Sequence, residues 1–378
     1  MRFIKYNKKE NNVNENINLK PIEEYVNLIN NNQLQQVYYN HDFNIPKISF
    51  ISPVFNKDKY IRPLITSIQH QYINEFEIIF IDDCSTDDSI KIINDFSIHD
   101  KRIKLIKNKE NKGTLYSRVQ GALHSKGEYI IFIDSDDLVL QKGLYNSYNY
   151  IKKSHLSMVQ FNTIFKRNET LNFNNRYYFY ENIIRQPILS YIFYFNEKTE
   201  NGDELNTALW DKLIERSIVL KTINFIGQEY YNENIKIEND VILLFSLFQI
   251  SDSYQYINET GYFYVRTNND SITNNYKNLK MSSLIIHGLF VNINFLYEKT
   301  RNSYIDKLFC LFKLQQSFKR YTSCFVKAYK EYYFIKKILK KLLSSTYIIK
   351  ADKNIISIID KSITLFYFKK ISRKESFI

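Results

Sequence analysis

The 378-residue sequence predicts an α/β fold: a mostly parallel sheet covered by helices on both faces, followed by a helical C-terminal extension. Two observations predict it. Between Lys47 and Leu138, short apolar runs rich in Ile and Phe alternate with segments of helical spacing, and several of the runs lack polar alternation, as strands buried on both faces do. Three of the runs then stop abruptly, at Pro53, at Asp82-Asp83 and at Asp134 to Asp137, on the side where an open α/β sheet binds its ligands.

Taken in order, residues 1–46 form a polar, Asn-rich extension with one helix expected over 21–34, where Ile22, Tyr25, Val26 and Ile29 share a face. A main domain is expected over 47–275. It opens with the strand ISFISPVFN, ending at Pro53, and a helix with Ile61, Leu64, Ile65 and Ile68 on one side. FEIIFIDD is a second strand, and STDDSIKIINDF a helix opening on a Ser/Thr cap. RIKLIKN is a third strand, and TLYSRVQGALHSK a helix after Gly113. The chain is organised around GEYIIFIDSDDL at 127–138. Its Tyr129–Ile133 run is a buried strand, and Asp134, Asp136 and Asp137 crowd its carboxyl end, where they repel one another unless a cation sits among them. The same cluster also suits a solvated turn or a helix cap.

Beyond Leu138 the alternation fades. SMVQFNTIF reads as a strand, residues 206–222 and 237–250 as helices, and YQYINETGYFYV as a hairpin-like pair of short strands around Glu259 to Gly261. Residues 276–378 read as a basic helical region. Its Ile335, Ile338, Leu339, Leu342 and Leu343 stripe suits packed core, and the facing lysines leave a peripheral membrane contact open.

Composition bounds the function. An apolar fraction of 44% is that of a globular protein, and no unbroken apolar run reaches the ~18 residues of a spanning helix. Net charge is +12, but the abundance of Lys, Asn, Ile and Tyr with little Gly or Pro is what an AT-rich genome produces, and no nucleic-acid module accompanies the charge. The N-terminus turns polar before a signal-peptide stretch appears, and Cys84, Cys310 and Cys324 form neither a disulfide framework nor a metal spacing. A cytoplasmic protein is expected, with peripheral association at the cytoplasmic face of a membrane kept open.

Three features converge on the carboxyl edge of the expected sheet: Pro53-Val54-Phe55-Asn56, the IDDCSTDDS run at 81–89, and Asp134-Ser135-Asp136-Asp137. A turn of the first kind can face a base or ribose, and a carboxylate of the second kind can accept from a ribose hydroxyl or a base N–H. The ordered set resembles the family 2 glycosyltransferases, which have the GT-A (Rossmann-like) fold. Their P-x-[YF]-N turn is here PVFN, and their DDGSTD is Asp82 to Asp87. Their N-x-G loop and helical Arg are Asn111-Lys112-Gly113 and Arg118, and their G-E-Y-[IV]-x-F-[LI]-D-x-D-D is Gly127 to Asp137. A weaker likeness runs through Trp210-Asp211-Lys212-Leu213, Glu238-Asn239-Asp240, Tyr262 to Arg266 and Ser271-Ile272. Two departures stand out: Cys84 replaces a Gly, and the family's Glu-Asp pair is Asn239-Asp240 with Glu238 one place early.

The resemblance implies sugar transfer from a nucleotide-diphosphate sugar, a UDP-sugar first, to an acceptor hydroxyl with inversion. Pro53, Phe55, Asn56, Asp82, Asp83, Asn111, Gly113, Arg118, Asp134 and Ser135 would line the donor site. Asp134 and Asp136 would hold Mn²⁺ or Mg²⁺, and Asp240 or Glu238 would be the base. Arg118 would meet base or phosphate, and Lys212 or Arg266 the diphosphate or acceptor, unless each is a surface ion pair. The acceptor would be a glycan, a lipid-linked sugar or a protein. The alternative is a catalytically silent protein of the same fold that binds nucleotide-sugars or glycans.

Overall fold

A computed structural model describes residues 20–35, 37, 39, 45–167, 170–173, 183–185, 208–233, 235, 239–265, 295 and 299. Glu238, Arg266, Ser271-Ile272 and the stripe at 335–343 lie outside the described residues.

The expected α/β class is the observed one. After helix α1 (Lys20–Asn30), strands and helices alternate as β1 (Ile48–Val54), α2 (Asp58–Gln69), β2 (Phe76–Asp82), α3 (Ser89–His99), β3 (Ile103–Lys107), α4 (Thr114–His124) and β4 (Tyr129–Phe132). There follow β5 (Leu138–Val139), α5 (Gln141–Ser154), β6 (Met158–Arg167), β7 (Thr170–Phe173), β8 (Ile184–Arg185) and β9 (Lys212–Glu215). Helices α6 (Arg216–Ile226), α7 (Gln228–Tyr231) and α8 (Asn239–Ile250) and strand β10 (Ser253–Tyr264) complete the described chain. One sheet runs β3-β2-β1-β4-β9-β6-β10-β5, with β7 beside β6 and β8 beside β10. The β3-β2-β1-β4 half is parallel throughout. The other half is mixed: β9 runs antiparallel between β4 and β6, while β10 lies parallel to β6.

The chain winds outward from β1 to β3 and then returns to pair β4 on the other side of β1, so strand order reverses between β1 and β4. Loops leaving the carboxyl ends at such a switch point flank a crevice. Those loops are the ones that carry PVFN and Asp134 to Asp137.

Both faces are covered. Ile51, Ile79, Ile81 and Phe132 point into a core shared with Leu115 and Val119 of α4 and the apolar faces of α6 and α8. Phe50, Ile78 and Phe80, one residue out of phase, point the other way onto Leu64 and Ile68 of α2 and Phe96 of α3. Helix α4 sits unusually close: a methyl group at Gly121 would lie 2.3 Å from Ile51 Cγ2. The N-terminal extension is not detached, because Val26 and Ile29 of α1 are buried against Leu138, Leu140 and Phe263. Phe295 is also buried, edge-on to Tyr230 at 4.9 Å, which brings part of the C-terminal region onto the α6–α8 face.

Two expectations need correction. The helix read over 206–222 begins only at Arg216, because Lys212–Glu215 is a strand paired with β4 and β6. A short apolar run inside a helical pattern cannot be told from a buried strand by periodicity alone. The hairpin read around Glu259–Gly261 is one continuous strand, β10, whose register against β6 shifts between Tyr256 and Tyr262. The turn-like residues mark bulges that let a twelve-residue strand bend. Among the described residues no helix is long and apolar enough to cross a membrane.

Candidate functional site

The first two loops are bonded into one unit. Val54 ends β1 in register with Asp82, the last residue of β2, and its carbonyl accepts the Asp83 N–H at 2.8 Å. Asn56 takes a left-handed φ of +54°, which Asn tolerates better than most residues. Its N–H donates to Ser85 Oγ at 3.0 Å, and its Oδ1 accepts from the Thr86 N–H at 2.8 Å. The Asp87 carboxylate accepts from the Asp58 N–H at 3.0 Å and so caps α2 from the neighbouring loop. The expected Ser/Thr cap on α3 is therefore displaced: α3 starts only at Ser89, and the STD run serves the β1 loop instead. Pro53 lies within β1, opposite Ile81, and Phe55 at the turn is 48% exposed, a face open to a flat ring.

Asp82 and Asp83 are both buried at the end of β2. Asp82 accepts from the Ser85 N–H at 3.1 Å and holds its own turn. Asp83 reaches the next loop: Oδ1 accepts from Asn108 Nδ2 at 2.9 Å and from the Lys112 N–H at 2.7 Å, and Oδ2 from the Gly113 N–H at 2.8 Å. Asn111 Nδ2 donates to the Asp83 carbonyl at 2.9 Å. The N-x-G loop is therefore built around one carboxylate, and Gly113, at φ +87°, supplies the turn that starts α4. Cys84 takes φ +70°, the conformation in which Gly would be relaxed, so the turn is kept despite the substitution.

The third loop carries the charge. Arg118, buried on α4, spreads its guanidinium between two carboxylates: Nη2 donates to Asp134 Oδ1 at 2.8 Å and Nη1 to Asp240 Oδ1 in the first turn of α8. Lys57, on the β1 loop, reaches across the switch point to Asp136 Oδ2 at 2.5 Å. Desolvation, together with the Asp240 and Asp136 charges, outweighs Arg118 and pushes the Asp134 carboxyl up to about 6. Asp137 is fully buried and accepts from the Tyr262 hydroxyl at 2.7 Å and the Val265 N–H at 2.8 Å. Burial and the neighbouring Asp136 and Asp134 raise it well above the ordinary carboxylate range. The Tyr262 hydroxyl also accepts the Asp134 N–H at 3.2 Å, so one side chain of β10 pins both ends of the acidic turn. Trp210 stacks on that ring at 4.7 Å.

The residues singled out from sequence thus gather at one edge. Asp83, Asn111 and Gly113 form one bonded group, Asn56 is tied to it through the β2–α3 loop, and Asp134 meets Asp240 across Arg118. Ser135 is buried in the acidic turn. Lys212 is buried and not on the surface, with Nζ 2.6 Å from Asp211 Oδ1 and 2.8 Å from the Ala208 carbonyl. Sequence reasoning missed Lys57, Asn108 and Tyr262 as parts of the edge. Tyr262 alone had a signal, the aromatic run that the weaker likeness contains. Among the described residues no group of three or more His, Cys, Asp or Glu side chains is arranged to hold a metal. The hard oxygens of Asp134 and Asp136 are the donors a divalent ion would need there.

Residues 49–209 match the model of glycosyl transferase family 2. A Haemophilus influenzae protein named as an uncharacterized glycosyltransferase is 40% identical over 122 residues, 32% of this chain and 49% of that protein. Glycosyltransferase GlyG of Streptococcus pneumoniae is 26% identical over 231 residues, 58% of this chain and 70% of GlyG. The cholesterol galactosyltransferase of Borreliella burgdorferi is 30% identical over 225 residues, 58% of this chain and 59% of that enzyme. The chain thus spans about half the length of the first of these relatives. The crystal structure of S. aureus TarS 1–349 superposes with a TM-score of 0.45 at 19% identity, covering 68% of this chain and 72% of that one.

Proposed function

We propose that the chain, whose residues 49–209 match the model of glycosyl transferase family 2, transfers a sugar from a nucleotide-diphosphate sugar, a UDP-sugar first, to an acceptor hydroxyl with inversion. The observation that carries the reading is the Arg118 fork, which brings a carboxylate from the β4 loop and one from the start of α8 to a single guanidinium. Residues 122 positions apart in sequence are thereby neighbours at the edge where this fold class binds ligands.

Phe55 would stack on the base, and the Asp82-Asp83 turn would take a base N–H or ribose hydroxyl through acceptor capacity left beside the loop bonds. Asp134 and Asp136 fit a hard divalent ion, Mn²⁺ or Mg²⁺. Two carboxylates leave most of the shell to water and phosphate, and Arg118 and Lys57 use one oxygen of each, Asp134 Oδ1 and Asp136 Oδ2. Such an ion, when bound, offsets the charge that develops on the departing diphosphate. Asp240, held by Arg118 at the mouth of α8, would take the proton of the acceptor hydroxyl as it attacks from the face opposite the diphosphate; a base of this kind contributes about 10²–10⁴-fold. The pairing of Asp240 with Arg118 supports this role, and Glu238 lies outside the described residues. The relatives have varied acceptors or none stated, so the acceptor, whether glycan, lipid-linked sugar or protein, is not fixed by the domain.

The test is nucleoside-diphosphate release by the purified protein from a panel of UDP- and GDP-sugars, with Mn²⁺ or with EDTA. Metal-dependent release from a UDP-sugar is expected. Nucleotide binding without release from any donor, with or without added sugar acceptors, would replace the enzyme by a silent binding protein.

A further inference from the structure

Lys57 is the one lysine whose ammonium meets the acidic turn among the described residues. Its backbone is fixed independently of its side chain: the Lys57 N–H donates to Ser89 Oγ at 2.8 Å, at the N-cap of α2. From that anchor the side chain crosses from the β1 loop to the β4 loop. The ammonium lies 2.5 Å from Asp136 Oδ2 and 5.5 Å from the centre of the Tyr60 ring, a placement that also favours a cation. Side-chain exposures of 21% for Lys57 and 25% for Asp136 leave the pair partly open to solvent at the carboxyl edge of the sheet.

From this we infer that Lys57 is a tethered counter-ion shared between Asp136 and the donor: it competes with the divalent ion for Asp136 and, once displaced, pairs with the donor's diphosphate. The inference rests on the proposed metal and diphosphate sites and adds to them a residue that the family motifs of this chain do not include. Charge balance at the edge motivates both roles. With neither Lys57 nor a metal, Asp134 and Asp136 would face only the guanidinium of Arg118, which Asp240 also uses, so a second cation is needed there. A metal entering at Asp136 removes the need, because two cations on one carboxylate repel each other. The Ser89 bond then keeps the displaced lysine at the switch point, where the incoming diphosphate brings new negative charge. In this way the edge stays near neutral with or without donor.

Opposite changes in two affinities test this. Mn²⁺ binding, with MnCl₂ alone, is measured by titration on wild type, Lys57→Met, Lys57→Arg and Lys59→Met; UDP binding is then measured at saturating Mn²⁺. Lys57→Met should bind Mn²⁺ roughly three- to tenfold more tightly, the range expected for losing a competing ion pair that is partly screened. It should bind UDP more weakly by a similar factor. Lys57→Arg should stay near wild type in both, and Lys59→Met, an exposed lysine two residues on, should change Mn²⁺ affinity less than about twofold. Unchanged or weaker Mn²⁺ binding by Lys57→Met overturns the competition, and unchanged UDP binding overturns the diphosphate contact. If neither wild type nor Lys57→Met binds Mn²⁺ while both remain folded by thermal melting, the metal reading itself falls, and the inference with it.

Discussion

Replacing Arg118 with Met keeps the length of the side chain and removes its charge. The side chain is 3% exposed and bridges Asp134, 34% exposed, and Asp240, 27% exposed. Removing one partner of a fully buried ion pair costs about 3–5 kcal/mol, because the other charge is left uncompensated. Water reaches both carboxylates here and screens part of that loss, so the expected cost is about 2–3 kcal/mol. At roughly 2–4 °C per kcal/mol for a domain of this size, the melting temperature in EDTA at pH 7 should fall by about 4–12 °C. The double variant Arg118→Met/Asp240→Asn removes one of the two stranded charges and should recover about 1 kcal/mol of that loss. A single variant that melts within about 1 °C of wild type, or a double variant no more stable than the single, would refute the claim that the fork joins the two carboxylates.

Asp240→Asn should lower kcat by about 10²–10⁴-fold while leaving Mn²⁺-dependent UDP affinity within about twofold, and equal losses in both would remove Asp240 from the base role. At Cys84, substitution by Gly relieves the left-handed strain and should be neutral to about 1 kcal/mol stabilising, whereas the β-branched Val should cost more than about 1 kcal/mol. Denaturant midpoints that rank Val above Gly would show that the turn is not strained. At the opposite end of the strands, burial works against the Glu77 carboxylate. Lys104, the Ser49 hydroxyl and the Lys126 N–H prevail and hold its pKa below the ordinary glutamate range. A depressed folded value means that its stabilisation is present above the unfolded value of about 4.3 and is lost as pH falls below it. Glu77→Gln should therefore be about 1–3 kcal/mol less stable at pH 7 and show a flatter acid limb in urea unfolding; an unchanged limb would contradict the assignment.

The parallel half of the sheet was legible because its strands are unbroken apolar runs and its helices carry clear stripes, so β1 to β4 and α2 to α4 read directly. The second half was not. Lys212–Glu215 is four residues whose apolar spacing also fits a helix, and the bulges of β10 put Glu259 and Gly261, turn-like residues, inside a strand. The gathering of Asp83 and Asp134 at one edge followed from motif order, and the place of Asp240 beside them only from the family resemblance. The partners that hold them there did not: the reach of Lys57 to Asp136 and the two hydrogen bonds of the Tyr262 hydroxyl join residues 79 and 125 to 128 positions apart, and nothing local in sequence encodes such pairs. The burial of Lys212 was not legible either, because a buried lysine reads like any other until its partner is known, here the adjacent Asp211.

In the proposed reading, carboxylates from separate crossover units share one rim and hold a cation that grips a sugar nucleotide's diphosphate. UDP titration into wild type and Asp136→Ala, each with Mn²⁺ and with EDTA, measures that grip. Wild type should bind UDP at least tenfold more tightly with Mn²⁺, and Asp136→Ala, still folded by thermal melting, should lose this gain. Equal UDP affinity in all four conditions would contradict it.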